Sequence, residues 1–139
     1  APRLTDIGVE PYLIASAVQA FIGQRLVRVV CPECREKSPL RDEEAIRFGR
    51  DSGEGFFAYR GVGCDACGQT GYRGRTGVYE ILRVTREVRS LIIAKASADV
   101  LAQAARESGM RSMLEDGFQK VLAGVTTPEE VLRVTHTEK

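Results

Sequence analysis

Two short stretches, Cys31-Pro32-Glu33-Cys34 and Cys64-Asp65-Ala66-Cys67, contain all four cysteines of this 139-residue sequence. The Cys-x-x-Cys spacing places two sulfurs on one side of a tight turn, and two such turns can surround one Zn²⁺ at about 2.3 Å per Zn–S bond. Four thiolates fill the coordination sphere and leave no position for water or substrate. The two pairs therefore predict a structural zinc site made by Cys31, Cys34, Cys64 and Cys67, with no chemistry of its own.

Two other uses of paired cysteines fit the sequence less well. Disulfides are typical of secreted proteins, whereas no charged and apolar leader segment opens this chain. A redox Cys-x-x-Cys motif starts a helix, but the residues after both pairs are polar, charged or glycine and lack helical periodicity. The turn residues suit zinc, because Gly68 can adopt a positive φ and Pro32 stiffens the first turn.

Composition limits the remaining classes of function. The length of 139 residues corresponds to one large or two small domains, and hydrophobic residues make up 43% of the chain, which is enough to form a buried core. The 20 basic and 19 acidic residues give a formal net charge of only +1. This balance disfavours nucleic-acid binding, which needs a basic face to neutralise phosphates. No apolar run approaches the roughly 20 residues of a membrane span, so we expect a soluble, intracellular protein.

Hydrophobic periodicity predicts a helix and then a strand before the first cysteine pair. Apolar residues recur at helical spacing from Glu10 to about Gly23, and Pro11 suits the first helical position. The valine-rich segment Arg25–Val30 then predicts a strand that leads into Cys31. The middle of the chain predicts a short helix, a glycine-rich loop, a strand and a strand pair or bent strand, at Asp42–Phe48, Asp51–Gly55, Phe56–Arg60 and Tyr72–Val84.

The next part of the sequence is predicted to be helical. Thr85 can cap one helix, and either Ser97 or Asp99 can cap a second. Gly109 is expected to end this second helix, because glycine readily adopts the left-handed conformation that follows many helices.

Two further helices are predicted near the C-terminus. Apolar residues within Met110–Leu122 fall on one helical face, which is typical of core packing, and Gly124 follows. Thr127-Pro128-Glu129-Glu130 then combines a capping box with proline at the first helical position. We expect the tail from His136 to be frayed, and we do not expect this single histidine to bind the metal.

Motifs for catalysis are missing from the sequence. The G-x-x-x-x-G-K-[ST] phosphate loop is absent, and the glycine-rich stretch Gly49–Gly55 lacks its Lys-Ser/Thr pair. The only histidine lies near the end of the chain, so neither a Ser-His-Asp nor a Cys-His set is expected. The sequence therefore predicts no catalytic and no cofactor-binding residue apart from the metal site.

Several segments, in order along nearly the whole chain, carry a family resemblance. They are Arg3–Ile14, Gln24–Arg28 leading into the first cysteine pair, Gly63–Glu80 containing the second pair, Gly109-Met110-Arg111, Asp116-Gly117 and Gly124–Thr127. Together they resemble the C-terminal portion of the type II secretion and type IV pilus assembly ATPases, including the tetracysteine element of that family.

The resemblance implies an α+β fold in three parts. Residues 1–30 would be the C-terminal end of a P-loop ATPase domain, 31–84 a small β-containing four-cysteine zinc subdomain, and 85–139 a C-terminal helical bundle. In this family the phosphate loop, the acidic Mg²⁺-linked motif and a His-containing box lie upstream of the matching region. The resemblance therefore implies a fragment without ATPase activity, whereas the full-length parent would bind ATP and Mg²⁺.

The resemblance also implies partners and a location. The full-length parent would be a homo-hexamer, cytoplasmic and peripheral to the bacterial inner membrane. It would act through a polytopic platform protein and a membrane-anchored linker protein, and it would not bind nucleic acid. The system would be protein secretion or pilus assembly, and we prefer secretion. Arg25 and Arg28, at the implied end of the ATPase domain, would either approach nucleotide in the hexamer or be ordinary surface arginines.

Two other classes of zinc protein remain as alternatives. One is a free-standing zinc ribbon that binds nucleic acid or protein. The other is a chaperone-type zinc module, since Cys64–Gly71 comes near C-x-x-C-x-G-x-G, although Gln69 departs from that pattern. In each case we expect zinc to supply folding free energy to residues 31–67, so that metal loss unfolds this segment while the helical third survives.

Overall fold

The computed structural model describes residues 2–135, and their fold mixes helices and strands, as expected. His136 and the residues after it lie outside the described part, so the prediction of a frayed tail is not addressed. The elements are α1 (Pro2–Asp6), α2 (Pro11–Ala17), β1 (Ala20–Val30), β2 (Arg35–Pro39), α3 (Asp42–Arg47), β3 (Phe57–Gly61), a 3-10 turn (Asp65–Cys67), β4 (Tyr72–Arg83), α4 (Arg86–Ile93), α5 (Ala98–Glu107), α6 (Met113–Leu122) and α7 (Pro128–Thr135).

The strands form two small sheets. β1 pairs with β4 in one, and β2 pairs with β3 in the other. The second pair is antiparallel, in a register that runs from Arg35 opposite Gly61 to Pro39 opposite Phe57. The four strands therefore lie on either side of the cysteine pairs along the chain.

The chain divides into two compact units, each made of two separate stretches. Unit 1 contains residues 1–23 and 80–111, and unit 2 contains residues 24–79 and 112–139. Unit 2 therefore contains both cysteine pairs together with α6 and α7. The division into domains 1–30, 31–84 and 85–139 stays a prediction.

Unit 1 has a core of aliphatic side chains from α2, α4 and α5. Its buried members are Ile14, Ala15, Val84, Val88, Ile92, Leu101 and Ala104. Arg89 Nε donates a hydrogen bond to the Ala15 carbonyl oxygen at 2.7 Å, which satisfies an acceptor in the last turn of α2. Thr85 caps α4, and Ser97 rather than Asp99 caps α5. Gly109, at φ +90°, follows α5 as predicted.

Unit 2 has a core built around Phe118 of α6. Its ring lies 4.9 Å from the Phe48 ring and 5.5 Å from the Phe56 ring, centroid to centroid. Gly117 lets α7 come close to α6, since a Cβ at this position would lie 2.3 Å from Val131 Cγ1. The buried members of this core are Leu40, Ala45, Phe48, Ala58, Phe118, Val121, Val131 and Leu132.

The structure corrects the predicted helix from Glu10 to about Gly23. α2 ends at Ala17, Val18 has extended backbone angles, and β1 begins at Ala20. Val18 and Phe21 still pack against the unit 1 core, but from extended backbone. The apolar spacing was therefore a true signal of burial, and the pairing of β1 with β4 determines the backbone conformation instead of local periodicity.

Other elements agree with the sequence or extend it. The sequence predicts strands at Arg25–Val30 and Phe56–Arg60 and a helix at Asp42–Phe48, and all three are present. The ends of α3 and β3 differ by one residue from the prediction, whereas β1 begins earlier than predicted, at Ala20. The predicted helical face from Met110 starts too early, because Ser112 caps α6. β2 was missed because its sequence, Arg-Glu-Lys-Ser-Pro, has no apolar alternation.

A buried carboxylate attaches α7 to β1 in unit 2. The side chain of Glu130 is only 2% exposed, and it accepts hydrogen bonds from the Arg28 backbone N–H at 2.8 Å and from the Arg28 guanidinium at 2.9 Å. Arg133, one turn further along α7, also donates to this carboxylate. Burial opposes ionisation of Glu130, but the bonds from Arg133 and Arg28 outweigh it and lower its pKa to about 2.

A second carboxylate of this kind lies at the start of α3. The Glu44 side chain is 6% exposed and accepts from the guanidinium groups of Arg41 at 2.6 Å and Arg60 at 2.7 Å. Burial again opposes ionisation, and the two arginines lower the pKa of Glu44 to about 2. Glu129 of α7, half exposed, lies within 3.4 Å of both arginines. This ionic cluster connects α3, β3 and α7.

Replacing the buried carboxylate should destabilise the protein far more than replacing its exposed neighbour. We expect Glu130→Gln to lower the free energy of unfolding by about 2 kcal/mol, because the amide has no charge to pair with the two arginines and its NH2 group replaces one of the two acceptor oxygens. Glu129→Gln is the matched control and should cost less than about 1 kcal/mol, as exposed ion pairs do. Urea denaturation followed by circular dichroism measures both, and equal losses would contradict this view of Glu130.

The two low carboxylate pKa values also predict a pH dependence of stability. Glu44 and Glu130 have folded pKa values near 2, against an ordinary value of 4.5. Between these values the unfolded chain binds more protons, so the stabilisation is complete above about pH 4.5 and is lost as the pH falls towards 2. The free energy of unfolding of Glu130→Gln should therefore vary less steeply with pH in this window than that of the wild type. Parallel pH profiles would contradict the prediction.

Candidate metal centre

The strands of unit 2 deliver both cysteine pairs to one place. Cys31 directly follows β1, and Cys34 directly precedes β2. The second pair lies between β3 and β4, where Cys67 ends the 3-10 turn. The Val62 N–H, one residue after β3, donates to the Cys34 carbonyl oxygen at 3.1 Å. The pairing of β2 with β3 therefore continues into the loops that hold the sulfurs.

The four predicted cysteines come together in the structure. Their Sγ atoms all lie within 4.8 Å of one another. The Sγ–Sγ separation is 3.8 Å for Cys31 and Cys64, 3.9 Å for Cys34 and Cys67, and 3.7 Å for Cys64 and Cys67. All four are free thiols rather than disulfides. Such a cluster could hold one metal ion.

Backbone N–H groups support one sulfur of the cluster in particular. Cys67 Sγ accepts from the backbone N–H of Cys64 at 3.3 Å and of Gly71 at 3.2 Å. Burial opposes ionisation of this thiol, but the two N–H groups outweigh it and lower its pKa to about 6. Burial raises the pKa of the Cys34 thiol to about 12. A bound cation would favour the thiolate form of every ligand.

The turn geometry of the second pair agrees with the sequence analysis. Gly68 follows the 3-10 turn and has φ +61°, which confirms the predicted positive φ. The N–H groups that reach Cys67 Sγ nevertheless come from Cys64 and Gly71. The bond from Gly71 to Cys67 Sγ was not predicted, although Gly71 is the last glycine of the C-x-x-C-x-G-x-G pattern that the segment Cys64–Gly71 approaches.

Arg25 and Arg28 were considered as groups that approach nucleotide. Arg28 is engaged within the protein, because it binds Glu130 and its guanidinium lies 4.0 Å from the centroid of the Tyr72 ring. Arg25 is exposed on β1 and donates to the Gln24 carbonyl oxygen. Arg28 therefore has a structural role, and the suggestion for Arg25 stays a prediction.

Among residues 2–135, no helix combines the length and the apolar character that a bilayer span requires.

Comparison with known proteins places the sequence in a family. Residues 1–133 match the model of the family described as type II/IV secretion system protein. The chain is 46% identical over 136 residues to type II secretion system protein E of Pseudomonas aeruginosa. The alignment covers 98% of the chain and 27% of that relative. It is 40% identical over 133 residues to type II secretion system ATPase E of Vibrio cholerae, covering 96% of the chain and 26% of that relative.

A relative from a pilus system is similar to the same extent. The chain is 43% identical over 135 residues to the type IV pilus assembly ATPase PilB of Thermus thermophilus. The alignment covers 96% of the chain and 15% of that relative. The chain thus spans about a quarter or less of the length of these proteins. With a family model matched over nearly all of its residues, the chain belongs to the type II/IV secretion system protein family.

Proposed function

We propose that this chain is the C-terminal, zinc-binding portion of the hexameric ATPase that powers type II protein secretion, and that it serves as a structural and coupling module. The observation that carries this proposal is the cluster of four sulfurs within 4.8 Å in a chain of the secretion family. Two of the relatives named above are type II secretion proteins, one of them termed an ATPase. The same region of a pilus assembly ATPase is the alternative, supported by the 43% identity to PilB.

The geometry and chemistry of the cluster fit zinc. Four sulfurs at about 2.3 Å from one Zn²⁺ form a tetrahedron with edges of about 3.8 Å. The three Sγ–Sγ separations of 3.7, 3.8 and 3.9 Å correspond to such edges. Thiolates also disfavour Mg²⁺ and Ca²⁺, which prefer oxygen ligands. Bound zinc would supply folding free energy, and Cys31, Cys34, Cys64 and Cys67 would be its ligands.

The residues beside the cysteines connect the metal centre to the start of α7. Val30, next to Cys31, donates its N–H to the Val125 carbonyl oxygen at 3.0 Å. Tyr72, just after Gly71, places its hydroxyl 3.0 Å from Thr127 Oγ1, and Thr127 accepts from the Glu130 N–H at the beginning of α7. With a metal bound, the four cysteines would tie together the strands that are hydrogen-bonded to the segment at the start of α7.

This bracing suggests a mechanical role. A unit held by a metal and by two buried ionic clusters keeps its shape under load, so it can present a fixed surface to a neighbouring subunit or to a membrane-anchored partner. We propose that residues 1–30 are the end of the ATPase domain and that the phosphate loop and Mg²⁺ site belong to the rest of the parent. The inner-membrane platform protein, the linker protein and the hexamer are parts of the same proposal.

Metal removal should loosen unit 2 and spare unit 1. We expect native mass spectrometry to show one zinc per chain, and Cys64→Ser to lose most of it. After chelation, hydrogen exchange should accelerate in residues 31–79 and also in α6 and α7, which the sequence alone was expected to leave intact, because these elements pack in one unit. The amides of α4 and α5 in unit 1 are the internal control and should exchange at an unchanged rate. Exchange that stays slow in unit 2 after verified metal loss would contradict a structural zinc.

The role in secretion can be tested in the full-length parent. We expect Cys64→Ser to lower secretion well below the wild-type level while the protein still accumulates in the cell. As a control in unit 1, Ser90→Ala removes one exposed hydroxyl that bonds within α4, and it should secrete normally. Normal secretion by Cys64→Ser would rule out the proposed coupling module, whatever the metal content of the fragment.

A further inference from the structure

Two glycines beside the metal centre pack backbone to backbone. Gly61 is the last residue of β3, and Gly71 directly precedes β4. A Cβ on Gly61 would lie 2.1 Å from the Gly71 carbonyl oxygen and 2.6 Å from its Cα. A Cβ on Gly71 would likewise lie 2.5 Å from the Gly61 carbonyl oxygen. A side chain at either position would therefore push the two backbone segments apart.

Gly71 is hydrogen-bonded to both cysteine pairs. Its N–H donates to Cys67 Sγ of the second pair at 3.2 Å, and its carbonyl oxygen accepts from the Cys31 N–H of the first pair at 2.9 Å. The residue is buried and has φ +74°, a conformation that favours glycine. One residue thus links the two halves of the cluster, and Gly61 packs directly against it.

We propose that the contact between Gly61 and Gly71 positions the two cysteine pairs for a single metal ion and thereby sets the affinity of the centre. This inference rests on the proposed metal site, to which it adds two residues that are not ligands. Moving Gly71 away from Gly61 would disturb the bonds to Cys31 and Cys67 together while all four sulfurs remain available. Groups that orient metal ligands are commonly worth 10- to 100-fold in affinity, roughly, when they are altered.

A purely structural role for the glycines makes a different prediction, and Gly53 provides the matched control. A Cβ on Gly53 would lie 2.1 Å from the Leu40 carbonyl oxygen, which is as severe a clash as that at Gly61. Gly53 also belongs to unit 2 and, like Gly61, has no positive φ. Its backbone bonds with Asp42 and Phe56, away from the cysteines. Alanine at Gly53 therefore strains the same unit without disturbing the metal ligands.

The experiment is a Co²⁺ titration of the wild type, Gly61→Ala and Gly53→Ala, in competition with a chromophoric chelator. We expect the wild type and Gly53→Ala to show the same thiolate-to-cobalt charge-transfer band and similar affinities. Gly61→Ala should bind at least about tenfold more weakly, with a weaker or shifted band. An unchanged band and affinity for Gly61→Ala, or equal weakening in Gly53→Ala, would overturn the inference while leaving the proposed metal site intact.

A second measurement applies if Gly61→Ala does not fold. In the wild type after chelation, the amide hydrogens of Gly71 and Cys31, followed by NMR, should exchange more slowly than those of Cys64 and Cys67, because the glycine contact positions the two pairs before the metal binds. Exchange of Gly71 and Cys31 as fast as that of Cys64 and Cys67 would show that the contact does not form without the metal and would overturn the inference. A wild type that binds neither cobalt nor zinc would instead overturn the proposed metal site, and the inference with it.

Discussion

Four sulfur atoms gathered within 4.8 Å impose the main constraint on unit 2. They come from two loops more than 30 positions apart in sequence, so the strands between them must return to the same place. The antiparallel pairing of β2 with β3 brings this about. Four ionised thiolates at such distances would repel one another strongly in the absence of a cation. The strands of residues 31–71 therefore bring together four sulfurs that could hold a metal ion.

The same unit also buries two carboxylates, each beside two arginines. Glu44 and Glu130 are both buried carboxylates, and each is held by two guanidinium groups. An unpaired charge at either site would be costly, so each carboxylate fixes the position of the element that carries its arginines. Glu130 attaches α7 to β1, and Glu44 attaches α3 to β3. These ion pairs thus supplement the apolar core around Phe118.

The sequence was most informative where a signal is local. Cys-x-x-Cys spacing identified the cluster, and the caps at Thr85 and Ser97 and the glycine after α5 were recognised because a few neighbouring residues determine them. Features that depend on distant partners were missed or misassigned. The segment after Ala17 pairs as a strand despite helical spacing, and β2 has no apolar pattern at all. An apolar helical face in the sequence, such as that of α6, predicts that the face is buried but does not identify the residues that cover it.

Strongly shifted pKa values, like those of the two buried carboxylates, are often found at active sites. Their environment argues against this reading. Arginines lower the pKa of both Glu44 and Glu130 to about 2, which makes each a very weak base near neutral pH. Their oxygens are occupied by the arginine hydrogen bonds. A zinc ion bound by the four cysteines would have no open coordination position for water or substrate. The polar groups that this unit buries therefore serve to hold its elements together.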